Sequence, residues 1–412
     1  MTLSRPTPWW AKDATPGWLL LGATVTSFVL HNSFAAPAFQ GLLNAHFGLN
    51  ALGYSYETTG AKFVKDALMA MFFLYVGLEL KRESVEGPFR SAREAALPAF
   101  GALGGMLAPA LIYLAVTSVF HPSASPAYAH GWAIPTATDI AFAVGVLSLL
   151  GPRTPPGLRL FLLALAIADD LGAILIVALF YSSNVAVAPL AVSAAIFSVL
   201  MILNWTGVKR LWPYWALGFA LWAAMAKSGV SPTLAGVLTA LAVPMRRSDG
   251  RSPLLAAEHA LKPVVQLGIM PLFALAIGGV SLAGVGLAEL GHPVSVGVAL
   301  GLALGKPIGI LAMTCLAAYV LKRRLPGSIA EMLGVAMIAG VGFTMSLFVG
   351  ALAFQDPALA APVRFGVLGG SALSAVAGLC VLMLATRQPP DAPHDLTELE
   401  HIAEEREVLE PR

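Results

Sequence analysis

Asp169 and Asp170 stand side by side in an apolar run from about Gly157 to Tyr181. A stretch of that length can cross a bilayer, and a charge at its centre costs a few kcal/mol or more. Like charges ~4 Å apart repel by roughly 4 kcal/mol at an effective dielectric of 20. One of the two acids is therefore expected to keep its proton near neutral pH unless a cation joins them. Such a pair takes protons or a metal cation as competing occupants.

Only four ionisable residues lie deep in apolar segments: Asp139, Asp169, Asp170 and Lys306. Asp169 and Lys306 each fall 12 residues into their segments, roughly 18 Å along a helix and close to mid-bilayer. Three acids and one base at one depth are best satisfied by clustering. Successive helical residues point about 100° apart, so one carboxylate of the pair is expected to face a water-filled cavity and the other a neighbouring helix. Lys306 is the natural partner, and one lysine cannot neutralise both acids.

Asp139 follows Thr138 in Ala133-Ile-Pro-Thr-Ala-Thr-Asp139, where Pro135 must disturb a helix. Interrupted helices expose carbonyls and dipole ends at mid-membrane, which is where transporters build ion sites. Asp139 either binds the ion or offsets the positive end of a half-helix, and the residues alone leave both open. Gly340-Val-Gly342 marks a second candidate break, although glycine also serves plain helix packing in membranes.

The elements that must hold these residues follow from composition. The 412-residue chain is 57% hydrophobic and 12% charged, with a mean hydropathy of +0.77; soluble domains are nearer 25% charged. This predicts an all-α polytopic membrane protein. A net charge of +2 offers nothing to nucleic acid. Apolar segments at about 17–36, 62–82, 95–119, 132–150, 157–181, 186–204, 211–226, 231–245, 262–279, 294–321, 328–353 and 363–386 make twelve expected transmembrane helices, the eighth short.

Taking alternate connections as cytoplasmic gathers 20 of the 25 Lys and Arg on one face, among them Lys81, Arg82, Arg90, Arg93, Arg246, Arg247, Arg251 and Lys262. Four remain on the other: Lys62, Lys65, Lys227 and Arg364. That asymmetry puts both termini in the cytoplasm. Residues 1–16 form a cytoplasmic N-terminus, 17–386 the helical domain, and 387–412 a polar, acidic tail expected to be disordered. The stretch from Trp18 to Leu30 reads as an uncleaved first span ended by His31 and Asn32, rather than as a signal peptide. Residues 53–59 could form a short hairpin. Cys315 and Cys380 read as small buried hydrophobes with no disulfide or metal framework.

Two superficial motifs fail. Gly301-Leu-Ala-Leu-Gly305-Lys306-Pro307 has three intervening residues where a phosphate loop needs four, and proline where Ser or Thr would hold magnesium. His259 beside Glu258 has no ligand-spaced partner for zinc. An intramembrane aspartyl protease needs two facing carboxylates that share a proton, which neighbours on one helix supply poorly. A channel lacks repeated filter motifs. A carrier of organic solutes lacks an aromatic or Arg constellation at mid-depth.

Ala137-Thr-Asp139-Ile-Ala-Phe-Ala, Ala166-Ile-Ala-Asp169-Asp170-Leu-Gly-Ala-Ile, Gly305-Lys306-Pro307-Ile-Gly and Gly340-Val-Gly-Phe-Thr-Met-Ser346 together resemble the NhaA family of bacterial Na+/H+ antiporters. The likeness runs from roughly Trp18 to Thr386, with Gly77-Leu-Glu79-Leu-Lys-Arg-Glu83 and Arg251-Ser-Pro…Glu258-His259 as further motifs. The resemblance implies twelve helices with inverted repeats, spans three to five and ten to twelve, helices four and eleven being interrupted. It implies that Asp169 and Asp170 bind Na+ or Li+ and protons, that Thr138 is an oxygen ligand, and that Lys306 pairs with Asp169. By the same likeness Asp139 balances helix-end charges, and Glu79, Glu83, Glu258 and His259 form a cytoplasmic pH-response cluster. A multi-pass protein of the bacterial inner (plasma) membrane, electrogenic, without cofactor, embedded in lipid and forming a homodimer, is the corresponding expectation. Ser231 stands where the best-known members carry histidine, and Leu255 and Ala256 replace basic residues, so the pH of activation is expected to differ.

Overall fold

Pro135 does interrupt its segment. The computed structural model describes residues 15–51, 54–87, 91–120, 122, 125–182, 185–245, 252–281 and 287–386. In it a 3-10 helix, His130–Thr136, stops just after the proline, and Ala137 and Asp139 take extended dihedrals. An α-helix then restarts as Ile140–Ser148, bent by 45° from the first piece. Proline lacks the N–H for the helical ladder and its ring crowds the carbonyl four residues back. A second break follows Ile329–Ala339, where the chain leaves the helix at Gly340 and resumes as Phe343–Ala353 at 47°.

The two breaks lie against each other. Asp139 N donates to the Val341 carbonyl at 2.7 Å. A Cβ on Gly342 would stand 2.8 Å from the Ala137 carbonyl oxygen, and one on Gly340 2.5 Å from that of Leu302. These glycines permit backbone-to-backbone approach that any side chain would prevent.

Among the described residues, six helices are long and apolar enough to cross a membrane: Arg93–Phe120, Pro156–Phe180, Val187–Trp205, Pro253–Ile277, Pro293–Val320 and Pro357–Ala385. Counting each bent pair as one span makes nine. The chain is an all-helical, multi-pass membrane protein. Three further expected segments are shorter helices, Met69–Val85, Trp212–Met225 and Leu234–Ala242. The last has nine residues, about 14 Å of helix.

Packing sorts the helices into two bodies. In the first, Ala92–Phe120 lies along the Pro293–Val320 helix, and both gather Pro156–Phe180, Ile329–Ala339, Ala360–Ala385 and the Pro135 segment. In the second, Met69–Val85 packs on Leu234–Ala242 and Pro253–Val264, with Val187–Trp205 and Trp212–Met225 beside them; the first helix, Thr15–His31, lies between the bodies, against Met270–Ile277 on one side and Ile140–Ser148 on the other. Glycine sets the closest contact of the first body: a Cβ on Gly104 would collide with the Gly309 carbonyl, and one on Gly305 would meet Pro109. Close approach through small residues replaces the hydrophobic drive that lipid removes.

The hairpin expected over 53–59 is not contained there: Tyr54–Thr59 is one strand, and it pairs antiparallel with His46–Ala51, upstream of the expected stretch. After His31 the chain turns by 110° into Ala36–Asn44, so the first expected span is shorter than its apolar run. Cys315 is half-buried and Cys380 exposed. That departs from the buried placement expected of them, because an apolar segment in a membrane bundle can point its side chains outward. The expected cytoplasmic N-terminus and acidic tail lie outside the described residues, save Thr15 and Pro16.

Gly104→Val is expected to destabilise the purified protein by about 3 kcal/mol, the upper range for overpacking, seen as a lower thermal midpoint. Gly22→Ala, which meets nothing within 4 Å, should leave that midpoint unchanged.

Candidate ion-binding site

Lys306 reaches Asp169. Its Nζ lies 2.9 Å from Asp169 Oδ2, both side chains fully buried, and it also donates to the Thr136 carbonyl at 2.5 Å. The lysine follows a π-helical turn, Gly301–Gly305, a widened turn of the kind found at functional sites. The two helices contribute the pair at the matched depth that their sequence positions imply.

Thr138, in the extended break, places its hydroxyl 2.6 Å from the same Asp169 Oδ2 and 2.9 Å from the Ala339 carbonyl. One hydroxyl proton serves one acceptor at a time. A protonated Asp169 can donate to Thr138, which then donates to Ala339; an ionised Asp169 draws the Thr138 proton to itself. Asp169 Oδ1 has no protein partner.

Asp170 is the residue with nothing to hold. Both carboxylate oxygens are buried without a hydrogen-bond partner, and the residue lines a partly open cavity, the funnel, of about 670 Å³. Thr138, Asp139, Met345, Phe72, Tyr75 and Glu79 share that wall, and Arg82, Arg159 and Lys262 lie further along it. The adjacent acids thus diverge as helix geometry requires, one toward a neighbouring helix and one toward the cavity. The two unpartnered oxygens of Asp170 and Asp169 Oδ1 are hard oxygen donors of the kind that suits a small hard cation or protons.

Asp139 is fully occupied. Its Oδ1 accepts Phe142 N at 3.0 Å, capping the restarted helix. Its Oδ2 accepts Thr344 N at 3.1 Å and the Thr344 hydroxyl at 2.5 Å, at the start of the other half-helix. One carboxylate therefore caps two opposed N-termini, where orphan N–H groups and dipole ends favour negative charge. Ser371 Oγ accepts the remaining Phe343 N at 3.2 Å. Of the two roles open for Asp139 in the sequence, the hydrogen bonds favour the helix ends.

Glu79, Glu83 and Glu258 come together around Arg82. The guanidinium lies 3.9 Å from Glu79, 2.5 Å from Glu83 and 2.9 Å from Glu258, and its Nε approaches both Glu258 oxygens. His259 does not join them; it is exposed and its Nδ1 faces the Leu255 carbonyl at 2.7 Å. Leu255 and Ala256 bring no charge there. Ser231 is buried in the turn before Leu234–Ala242, its hydroxyl 2.7 Å from that of Thr233, and does not line the funnel.

Arg82, Thr344 and Ser371 are the residues that sequence reasoning missed. Arg82 was absorbed into the count of cytoplasmic charges, although its place between Glu79 and Glu83 was a usable signal. Thr344 lay inside a quoted motif. Ser371 carried no signal, since its role depends on which helix neighbours the break.

The family profile described as Na+/H+ antiporter 1 matches residues 8–382. A Na(+)/H(+) antiporter NhaA from Pseudomonas putida (strain GB-1) is 46% identical over 382 residues, covering 92% of this chain and 96% of its own. Another from Rhodospirillum rubrum is 47% identical over 390 residues, with 92% and 96% covered. The solved structure of the sodium proton antiporter MjNhaP1 from Methanocaldococcus jannaschii shares the fold, at a TM-score of 0.50 and 17% identity, covering 90% of this chain and 92% of that one.

Removing Lys306 should strand a buried acid. Lys306→Ala is expected to cost roughly 3–5 kcal/mol of stability at alkaline pH, whereas the double variant Lys306→Gln/Asp169→Asn should regain most of it. Thermal midpoints of the two purified variants decide the matter.

Proposed function

This chain belongs to the NhaA family of Na+/H+ antiporters, and on that footing we propose that it exchanges Na+ for H+ by letting both compete for Asp169 and Asp170. It is a transporter and not an enzyme. The observation that carries the reading is Asp170: a buried carboxylate with two unpartnered oxygens at a cavity wall, next to a second acid already bound to lysine. An acid spent on a permanent ion pair would have a cationic partner, and Asp170 has no hydrogen-bond partner on either oxygen. A site meant to load and unload must leave oxygens free.

In the proposed cycle, the carboxylates facing the cytoplasmic side give up protons and take Na+ or Li+. Facing the outer side, where the proton-motive force keeps pH lower, they take protons and release the cation. Loaded forms cross between states more readily than the empty one because charge buried without compensation is costly, and the two helical bodies rock against each other to switch access. Thr138 adds an oxygen to the cation. Asp139 stays with the half-helix ends and keeps the crossing intact as the occupant changes. Two protons against one Na+, the second carried by the other carboxylate or by Lys306, make the exchange electrogenic. Coupled groups of this kind titrate as a set, with Lys306 among them.

The cluster of Glu79, Glu83 and Glu258 on Arg82, at the funnel, is the proposed pH response, with His259 at its edge. The changed positions Ser231, Leu255 and Ala256 move the pH of activation away from that of histidine-bearing relatives. Twelve spans in two inverted repeats, both termini cytoplasmic, in the bacterial inner membrane, complete the reading; the one-sided distribution of 20 of 25 basic residues supports it. The 46–59 hairpin is the proposed contact of a homodimer. Sodium extrusion and pH homeostasis follow as its use to the cell.

The test is a pH-sensitive dye in everted vesicles energised to an acidic interior. Na+ or Li+ should dequench the dye with the intact chain, and Asp170→Asn should abolish the response at comparable expression. A full cation response from Asp170→Asn would overturn the proposal.

A further inference from the structure

We infer that Arg364 is an outer latch that holds the funnel-open state by tying the two helical bodies together at the end opposite the funnel mouth. The inference rests on the exchange reading only for the side-to-side switching that the latch would govern. Its geometry is independent of what ion is carried.

Arg364 belongs to the Ala360–Ala385 helix of the first body, and its Nη1 donates to the Gly279 carbonyl at 2.7 Å. Gly279 lies just past the Pro253–Ile277 helix of the second body, among the last carbonyls, which have no partner within the helix. The neighbouring carbonyls there are taken by the first helix and the residue after it: Ser27 Oγ donates to Leu275 O at 2.5 Å and Asn32 Nδ2 to Val280 O at 2.7 Å. A Cβ on Gly279 would strike the His31 ring. Two of the three side chains that cap this helix end therefore come from the first helix and the residue after it, and the third, Arg364, comes from the first body.

Position gives the contact its meaning. Glu258, which holds Arg82 beside the funnel, is 21 residues before Gly279 on the same helical course, roughly 31 Å away along the axis. The funnel mouth and the arginine contact are thus at opposite ends. Near the funnel the first helix meets Ile140–Ser148 of the first body at Gly17 and Gly145, where a Cβ on either would stand 3.1–3.2 Å from the other's Cα; an apolar backbone contact of that kind has no direction to defend and can slide. The Arg364 bond is directional and carries a charged donor. Opening the opposite side requires the bodies to part there, so that bond must break.

Leu163 lines the funnel and reports whether it is open. In a Cys315→Ser/Cys380→Ser background carrying Leu163→Cys, a membrane-impermeant maleimide added to everted vesicles should label the new thiol. Arg364→Leu is expected to slow labelling roughly tenfold, the scale of one hydrogen bond to a charged group. It should also raise the Na+ concentration for half-maximal exchange in everted vesicles and lower it in right-side-out vesicles. Arg364→Lys, which retains a donor, should fall between the two. Unchanged labelling, or half-saturation values that move in the same direction from both sides, would overturn the latch. Slowed labelling in a protein whose unmodified form shows no Na+ exchange would keep the latch and sink the exchange reading. If Arg364→Leu does not fold, the Arg364→Lys and Arg364→Gln pair carries the comparison, with Gln the slower to label.

Discussion

A carboxylate removed from water must find a lysine, a set of N–H donors, a proton or a metal ion. Three acids at one depth in this protein meet that constraint in three ways. Asp169 has Lys306 and Thr138. Asp139 has two helix N-termini. Asp170 has no protein partner for either oxygen. Competition between protons and a cation, in the proposed function, is what an incompletely satisfied acid does when its wall opens to a funnel.

The scaffold is organised around keeping that acid incomplete. Pro135 stops one helix, Gly342 lets a second broken segment approach it backbone to backbone, and Gly340 lets that segment approach the π-helical turn at Leu302. At the two half-helix starts Asp139 and Ser371 satisfy three backbone N–H groups, those of Phe142, Phe343 and Thr344, and Asp139 also takes the Thr344 hydroxyl. The acid most easily mistaken for a ligand is therefore spent on the frame. Around this frame the two helical bodies meet through Phe73 and Phe273 against Phe348 and through Arg364 on the Gly279 carbonyl, with the first helix between them at Gly17 and Gly145.

Much of this was legible in the residues. Adjacent acids on one helix had to diverge, and they do. Equal depths of Asp169 and Lys306 in their segments announced a pair, because helix rise converts residue number into height. The two breaks were signalled by proline and by a glycine pair, each for a stated steric reason. What stayed hidden depended on azimuth and neighbours. Asp139 could not be assigned from sequence, since only the crossing brings Thr344 to it. Arg82 looked like one more cytoplasmic charge until three glutamates converged on it, and His259, adjacent to one of them, points elsewhere because successive helical positions face different ways. The cysteines illustrate the converse: apolar surroundings in a membrane bundle include its lipid-facing surface, so hydropathy alone does not report burial.

The central claim is that sodium and hydrogen ions exclude each other at these carboxylates. Titrating the purified protein with NaCl in a weakly buffered, mildly alkaline solution, with a pH electrode, measures this without any membrane or gradient. Release of protons in proportion to the Na+ bound, absent when choline chloride replaces NaCl and lost in Asp169→Asn/Asp170→Asn, is the result the account requires. Sodium binding that leaves the solution pH unmoved would contradict it.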